Sequence, residues 1–368
     1  MKSRLFVVNE ETLAKAIDEG IASLFMPELS GLLWGKTVAD LMADMLQIEI
    51  GDYIFFWETK GANNKNRIHG VYRAISKPYY ACSDANDTAP WKIKIEKAFD
   101  FQKPIDEYDV LNNYHIKNDL WTIVGKKVAQ KPRGTTPLSP KESEFLITLL
   151  AGLNPDAAFI PWDSARTIDV SNPLTIDYSS RGANHRPSSL SAFDPNQMNF
   201  FKENGNVIYE KVLETIFNKE MTNKNTSFFA PFGIDPSKVI WYSNYLPYSL
   251  EGSEIDYLII ESEDGIHSSK VYVIDFIKEA LDVEHIRRVL LYSKWVNETL
   301  CLGSNIVNPM IICKSSLDFI NGERNERKYE KQLSMNNYIS YEEKGFKTKP
   351  LEIYTYDFRN GPAFEKKR

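Results

Sequence analysis

The chain has 368 residues, of which 43% are hydrophobic, so it is long enough for two domains that each bury a core. Its net charge of −6 excludes a protein that binds nucleic acid over a generally basic surface. The three scattered cysteines exclude a disulfide framework and a cysteine-rich zinc site, which indicates a reducing compartment. No run approaches the roughly 18 apolar residues of a membrane span, so we expect a cytoplasmic protein without membrane contact.

The N-terminal part of the chain alternates strand and helix patterns. Apolar spacing predicts, in order, a strand at 4–8, a helix at 10–24, a helix at 34–45, a turn and aromatic strand within 48–60, a returning strand at 67–75 and a strand at 91–96. Asn9 is placed to cap the first helix. This order of elements predicts a small mixed α/β domain.

Several short patterns in this part belong together. Gly51-Asp52 precedes the aromatic strand, the returning strand carries Gly70-Val71-Tyr72, and Pro78-Tyr79-Tyr80 precedes Trp91. Over about residues 1–130 the chain resembles the PUA-like group of α/β barrels, which includes EVE and YTH domains. The resemblance implies a barrel pocket in which aromatic rings stack on a modified or flipped base.

Five aromatic residues are the candidates for lining such a pocket. They are Trp34, Tyr53, Trp57, Trp91 and Trp121. A core position is the alternative for each of them, because large aromatic residues are mostly buried.

A basic stretch lies within residues 60–77, where no Asp or Glu occurs. Lys65, Arg67 and Arg73 are its candidate phosphate contacts, and a solvated loop is the alternative interpretation. His185 lies between arginines further along, and it could touch DNA or simply be solvated.

A capping box predicts a helix after this domain, with Ser139 as the cap, Pro140 at the first position and Glu142 three residues after the cap. Residues 163–199 are rich in serine and proline, which is typical of a linker or a long surface loop. The predicted organisation is a nucleic-acid recognition domain at 1–155, a linker at 156–199 and a second domain at 200–368.

The second domain contains two acids in unusual positions. Residues 254–260 and 271–278 predict two strands of a hairpin, and each strand carries one carboxylate on an apolar face, Asp256 and Asp275. A carboxylate in such a place costs several kcal/mol unless a partner compensates it. A bound divalent cation would compensate both acids at once.

The same stretch resembles the PD-(D/E)xK nuclease core over roughly residues 200–320. An acid in one strand and a second acid with a nearby lysine in the next are followed by a helix at 283–296 that carries Tyr292. The resemblance implies a restriction-endonuclease-like αβββαβ core with a central mixed sheet. It further implies a Mg²⁺ or Mn²⁺ ion held by Asp256, Asp275 and Glu210, with Glu214 as the second choice for the last ligand.

The chain departs from that family at two positions. The family lysine is expected where Ile277 stands, and Lys278 follows one residue later. A bulge could return Lys278 to the site, or an Arg or Lys of the next helix could replace it. Several branches of the family carry a Gln four residues before the Tyr, and here that position is Arg288. If neither Lys278 nor a cation of the next helix takes the place of the family lysine, the site is a degenerate nuclease site.

Other elements of the second domain follow from its patterns. They are a helix at 206–219, a strand at 239–246, late strands at 306–313 and 351–356, a surface segment at 323–331 and a frayed end at 365–368.

We therefore expect a Mg²⁺-dependent DNA endonuclease of the restriction or repair type. Its N-terminal domain would select the target, and one form of this hypothesis is that it recognises a modified base. Asp256, Asp275, Glu210 and Lys278 are the predicted catalytic residues. RNA is the alternative substrate, and a homodimer is compatible with the sequence. A nucleic-acid-binding protein with a degenerate nuclease core is the second hypothesis. An interaction protein that binds no nucleic acid is the third, because the pI of about 5.6 allows it.

Overall fold

The computed structural model describes residues 2–26, 34–60, 65–83, 87–112, 122–123, 134–178, 189–247, 254–265, 268–301, 306–315 and 347–367. The chain divides into two compact units. Among the described residues, the first unit holds those up to Thr175 together with 189–196, and the second holds 176–178 and those from Gln197 onwards.

In its described residues the first unit combines a mixed sheet with helices. Its strands are β1 (Ser3–Val8), β2 (Ile21–Leu24), β3 (Tyr53–Glu58), β4 (Arg67–Ala74), β5 (Tyr79–Tyr80), β6 (Trp91–Lys97), β7 (Ile105–Asp106) and β8 (Thr135–Leu138). Its helices are α1 (Glu10–Glu19), α2 (Trp34–Leu46), α3 (Glu107–Asn112) and α4 (Pro140–Leu153). The strand order is β2-β6-β4-β3-β1-β8, with β5 paired to β6 and β7 paired to β4. Strands β1 and β3 run parallel.

Two local predictions in this unit have different outcomes. The capping box at Ser139 and Glu142 is confirmed, since both reciprocal hydrogen bonds start α4. The helix predicted for 10–24 is too long. Gly20 adopts a left-handed conformation at φ +62, which ends α1, and the next residues pair with β6 as strand β2.

Part of the predicted linker belongs to the first unit. Backbone hydrogen bonds join Ile160 to Ala98 at 2.9 Å and Ile168 to Ile75 at 2.8 Å. Residues 156–175 therefore pack on the first unit, which for 163–175 agrees with the long surface loop and not with the linker.

The second unit also combines strands and helices. Its strands are β9 (Val239–Ser243), β10 (Leu246–Pro247), β11 (Glu254–Ile255), β12 (Tyr257–Ser262), β13 (Ser268–Ala280), β14 (Ile306–Ser315), β15 (Lys347–Thr348), β16 (Glu352–Asp357) and β17 (Ala363–Lys366). Its helices are α5 (Lys211–Thr222), α6 (Thr226–Phe229) and α7 (Val283–Thr299).

The large sheet of this unit has the order β17-β16-β14-β13-β12-β9, and β15 pairs with β14. Strands β9, β12 and β13 are antiparallel neighbours, whereas β14 runs parallel to β13 after helix α7. The mixed α/β class is therefore confirmed for both units. The PUA-like and nuclease assignments of the two units stay predictions.

Aromatic packing holds α5 against the sheet. The ring of Phe217 on α5 lies 4.9 Å from the ring of Phe276 on β13 and 5.7 Å from that of Tyr257 on β12, measured between centroids. Burial of such rings stabilises the unit by about 1.5–3 kcal/mol per side chain. This packing places the start of α5 beside the two strands that carry Asp256 and Asp275.

Two boundaries in the second unit differ from the prediction. Helix α5 begins at Lys211 and not at 206, because Val207 forms an isolated antiparallel β-bridge with Phe201 and so has an extended backbone partner. The predicted frayed end is wrong for its described part, since Glu365 and Lys366 pair with β16 as strand β17. None of the helices in the described part of the chain combines the length and apolar character that a bilayer span requires.

Candidate functional site

Asp256 and Asp275 meet across two antiparallel strands. The register of β12 and β13 pairs Tyr257 with Ile274, so the next step places Asp256 opposite Asp275. Asp275 is completely buried, and the Asp256 carboxylate accepts a hydrogen bond of 3.0 Å from the backbone N–H of Phe276. The chain thus brings two acids together in a place that water does not reach freely.

Arg288 on α7 is the direct partner of Asp275. Its guanidinium donates two hydrogen bonds to the Asp275 carboxylate, at 3.1 and 2.8 Å. Burial raises the pKa of Asp275 well above its usual range, the charge of Asp256 adds to this, and Arg288 opposes it. Arg288 is therefore the cation of the next helix that lies against Asp275.

Glu210 is the third acid of this cluster. It occupies the residue before α5, and its side chain does not cap the helix. Burial is the main cause that raises the pKa of Glu210 to about 7, and the charge of Asp256 is the next cause. Glu214, the second choice, instead forms a buried ion pair of 2.6 Å with Lys211. Of the two glutamates, Glu210 is therefore the one whose carboxyl group interacts with Asp256, whereas Glu214 is held by Lys211.

Strand β13 contains a bulge at Lys278. The register advances from Ile277 to Ala280 while the partner strand β14 advances only from Cys313 to Ser315. The positive charge of Lys278 lowers the pKa of Glu210, so the lysine acts on the acidic cluster. The Lys278 ammonium forms an ion pair with Glu279 at 3.5 Å, and its side chain is 43% exposed.

The donor chemistry of this cluster fits a divalent cation. Carboxylate oxygens are the ligands that Mg²⁺ and Mn²⁺ prefer. Within the described ranges, however, no three acidic, histidine or cysteine side chains are arranged to hold a metal ion. Arg288 also engages both oxygens of Asp275. Binding of a cation by Asp275 therefore requires Arg288 to release at least one of those oxygens.

We expect the acidic cluster to make stability depend on pH. The folded-state pKa of Glu210, about 7, lies above its ordinary value of 4.5, so the folded protein retains a proton that the unfolded chain loses between these pH values. The unfolding free energy should consequently fall as pH rises through this window, and the raised pKa of Asp275 acts in the same direction. Urea unfolding at pH 5 and pH 8 in the presence of a chelator measures the effect.

The matched control for that experiment is a pair of variants. Glu210→Gln should reduce the pH dependence to the part that Asp275 contributes, whereas Glu298→Gln on the half-exposed surface of α7 should leave it unchanged. A Glu210→Gln protein with the same pH dependence as the wild type would contradict the raised pKa.

The predicted base-stacking residues of the first unit lie mainly in its core. Trp91 is completely buried, Trp57 is 4% exposed and Trp34 is 9% exposed. The indole N–H groups of Trp34 and Trp57 have no hydrogen-bond partner among the described residues. Tyr53 is half-buried, with its ring edge-on to Phe99 at 6.3 Å. Only Tyr53 of this group presents much surface, so the core alternative holds for the three tryptophans. Trp121 and His185 lie outside the described residues.

The predicted phosphate contacts divide into two kinds. Arg73 is completely buried, pairs with Glu96 at 3.4 Å and lies 5.2 Å from the ring of Trp162, so its predicted contact with DNA is corrected to a core role. Lys65 and Arg67 both face Asp106, at 2.8 and 3.5 Å. These two remain near the surface, with their charge partly balanced by that carboxylate.

The first unit contains a cavity of about 140 Å³ that the sequence did not predict. Its lining includes His69, Tyr72, Lys97, Phe101 and Gln102. Burial lowers the pKa of His69, which is hydrogen-bonded to Glu58 at 2.8 Å. The cavity brings β4 together with residues 97–104, and no local pattern in the sequence signals that contact.

Neither a protein-family model nor a curated protein matches the chain. Similar solved structures include a hypothetical protein from Leishmania major, at 9% identity and a TM-score of 0.30, covering 42% of this chain and 97% of that one. Human THYN1 in complex with 5-methylcytosine-containing DNA has 14% identity and a TM-score of 0.27, covering 41% and 98%. The YTH domain-containing protein Mmi1 in complex with RNA has 13% identity and a TM-score of 0.27, covering 41% and 83%. These values leave the family of the chain open.

Proposed function

We propose that the protein is a metal-dependent nuclease that hydrolyses phosphodiester bonds of DNA at the cluster of Asp256, Asp275 and Glu210. The main support is the opposition of Asp256 and Asp275 on adjacent strands, with Glu210 close enough for its pKa to be raised by Asp256. Acids that are crowded together and desolvated in this way are typical of a site that receives a cation.

The residues of the cluster have separate roles in this proposal. Asp256, Asp275 and Glu210 would hold a Mg²⁺ or Mn²⁺ ion, which supplies an activated water and offsets charge on the scissile phosphate. Lys278 holds a positive charge beside Glu210, where it orients a phosphate oxygen. Arg288 balances Asp275 in the free protein and presents a planar donor to the phosphate once it is released.

Target selection belongs to the first unit in this proposal. Lys65 and Arg67 contact the DNA backbone, and the cavity lined by His69 and Tyr72 receives an extruded base. RNA is the alternative polymer, and comparison of cleavage on DNA and RNA of the same sequence decides between them.

A second candidate function is nucleic-acid binding without cleavage. The two hydrogen bonds from Arg288 to Asp275 favour it, because a guanidinium then occupies the place of the metal. The apolar Ile277 at the position of the family lysine points the same way. Cleavage of duplex, single-stranded and modified DNA with Mg²⁺ or Mn²⁺, each against a chelator control, separates the two functions.

The variant Lys278→Ala is expected to lower the cleavage rate by roughly 10²-fold with little change in DNA affinity, because loss of one positioned charge mainly affects the transition state. Single-turnover cleavage and fluorescence anisotropy measure the two quantities. Lys294→Ala on α7 is the matched control, since its side chain is similarly exposed at 45%. Equal rates for the Lys278→Ala protein and the wild type would remove Lys278 from the mechanism.

A further inference from the structure

Three parallel strands of the second unit end at the same edge of the sheet. Strands β13, β14 and β16 run in one direction, so their C-terminal residues lie side by side. The strand pairing puts Lys314 beside Lys278 on one flank and beside Tyr356 on the other. The lysine assigned to the acidic cluster thus has a second lysine as its neighbour.

A cavity of about 430 Å³ opens at this edge. Its lining includes Asn204, Lys314, Tyr356, Asp357, Arg359 and Phe364. One wall is fixed by Gly205, whose φ is +73, and a Cβ atom there would lie 2.1 Å from Asp357 Oδ1. The backbone N–H of Phe358 donates to the Gly205 carbonyl oxygen at 3.1 Å, so the two loops that form the wall are closely joined.

The charges around this cavity compensate Lys314 only in part, because the charge of Asp357 favours its ammonium and that of Arg359 opposes it. Asp357 pairs with Arg359 at 2.6 Å, and Glu365 pairs with Lys367 at 2.5 Å. No carboxylate of the described residues lies within ion-pair distance of the Lys314 ammonium. That ammonium donates to the Asn204 carbonyl oxygen at 3.1 Å and lies 5.4 Å from the centroid of the Tyr356 ring.

This environment favours an anionic ligand. Burial lowers the pKa of Lys314, the charge of Asp357 opposes this and that of Arg359 adds to it, so the ammonium has lost part of its hydration without forming a close ion pair. An anion that enters the cavity would replace the missing hydration and restore the favourable charge interaction.

The cavity also adjoins the acidic cluster. The Tyr356 hydroxyl lies 3.0 Å from the carbonyl oxygen of Lys278 at the bulge and also bonds the Asn206 side-chain oxygen. Burial is the main cause that raises the pKa of Tyr356, and the charge of Glu210 adds to it. A chain of phosphates running along this edge would therefore pass from the acids to Lys314.

We propose that Lys314 and this cavity bind the phosphate next to the scissile one in the sugar–phosphate backbone of the substrate. The proposal rests on the proposed nuclease function, since it places a second phosphate of the same strand. A free phosphate ion shares this chemistry, and the experiment below separates the two sources. The ligand class is a phosphodiester strand, which gives Lys314 a role in strand positioning.

The test is oligonucleotide binding by the full chain in a chelator, so that it does not depend on cleavage or metal. Lys314→Ala is expected to raise the Kd about three- to tenfold at low salt. It should lower the slope of log K against log salt by about 0.7–0.9, which corresponds to one phosphate contact. Lys349→Ala is the matched control, because Lys349 follows β15 at the opposite end of β14. Lys314→Arg should retain most of the affinity, since it keeps the charge.

Three results would overturn the proposal. The first is a Lys314→Ala protein with the Kd and salt slope of the wild type. The second is inorganic phosphate that binds at Lys314 as tightly as the oligonucleotide, which would assign the cavity to a free anion. The third is a wild-type protein that binds no oligonucleotide, which would remove the nuclease function as well. The first two leave the assignment of Asp256 and Asp275 untouched, and cleavage measured separately on the Lys314→Ala protein tests that assignment.

Discussion

Replacing Asp275 by asparagine is expected to reduce cleavage by at least about a thousandfold, because it removes one of the two opposed carboxylates that hold the metal. DNA binding should stay the same or become tighter, since a negative charge near the phosphates is lost. The unfolding free energy in a chelator should change little, because relief of the costly buried charge of Asp275 is opposed by the loss of its two charge-assisted hydrogen bonds with Arg288. Cleavage assays, calorimetric titration of Mn²⁺ and urea unfolding measure the three effects.

Glu284→Gln is the control for that variant, as Glu284 lies in the first turn of α7 with a side chain that is 76% exposed. It should change none of the three quantities. An Asp275→Asn protein that cuts DNA at the wild-type rate would end the assignment of this site, whatever the result for Lys278.

The second large effect concerns Arg288. Removing one partner of a buried ion pair costs about 3–5 kcal/mol, and the 40% exposure of the Arg288 side chain places Arg288→Ala at the lower end of that range, about 3 kcal/mol. If the carboxylates hold a cation, added Mn²⁺ should restore much of this loss, because the ion takes over the neutralisation of Asp275. Urea unfolding with and without Mn²⁺ measures both parts.

Arg287→Ala offers a control one residue away. Arg287 is 63% exposed and pairs with Glu284 at 3.5 Å, so its loss should cost at most about 0.5 kcal/mol. Destabilisation of the Arg288→Ala protein that Mn²⁺ leaves unchanged would favour the second function, in which Arg288 is a permanent substitute for a metal.

The two acids of the site could be predicted from sequence because the signal was local. A strand alternates its faces, so an acid among apolar neighbours is conspicuous, and a short turn between two strands brings both acids together. Arg288 was identifiable by its position before Tyr292, but its bond to Asp275 depends on how α7 crosses the sheet. The raised pKa of Glu210 also depends on the docking of a distant helix.

Other features could not be predicted from the sequence because they depend on contacts between distant segments. The sequence around Arg73 predicted a surface charge, yet its side chain is enclosed by Glu96 and the ring of Trp162. Strand β2 continues the apolar spacing of α1, and only the conformation of Gly20 separates them. The charged residues Glu365 and Lys366 suggested a free end, although an edge strand tolerates such residues well.

The acids of the cluster come from two separate parts of the chain, and this affects how their charges can be balanced during folding. Asp256 and Asp275 lie on one hairpin and Arg288 on the helix directly after it, so these three charges can assemble from a short contiguous stretch as it leaves the ribosome. Glu210 is made earlier but reaches them only when α5 docks through Phe217. Because Arg288 is only 13 residues from Asp275 in sequence, the buried charge of Asp275 can be balanced within this contiguous stretch, whereas the approach of Glu210 depends on the docking of α5.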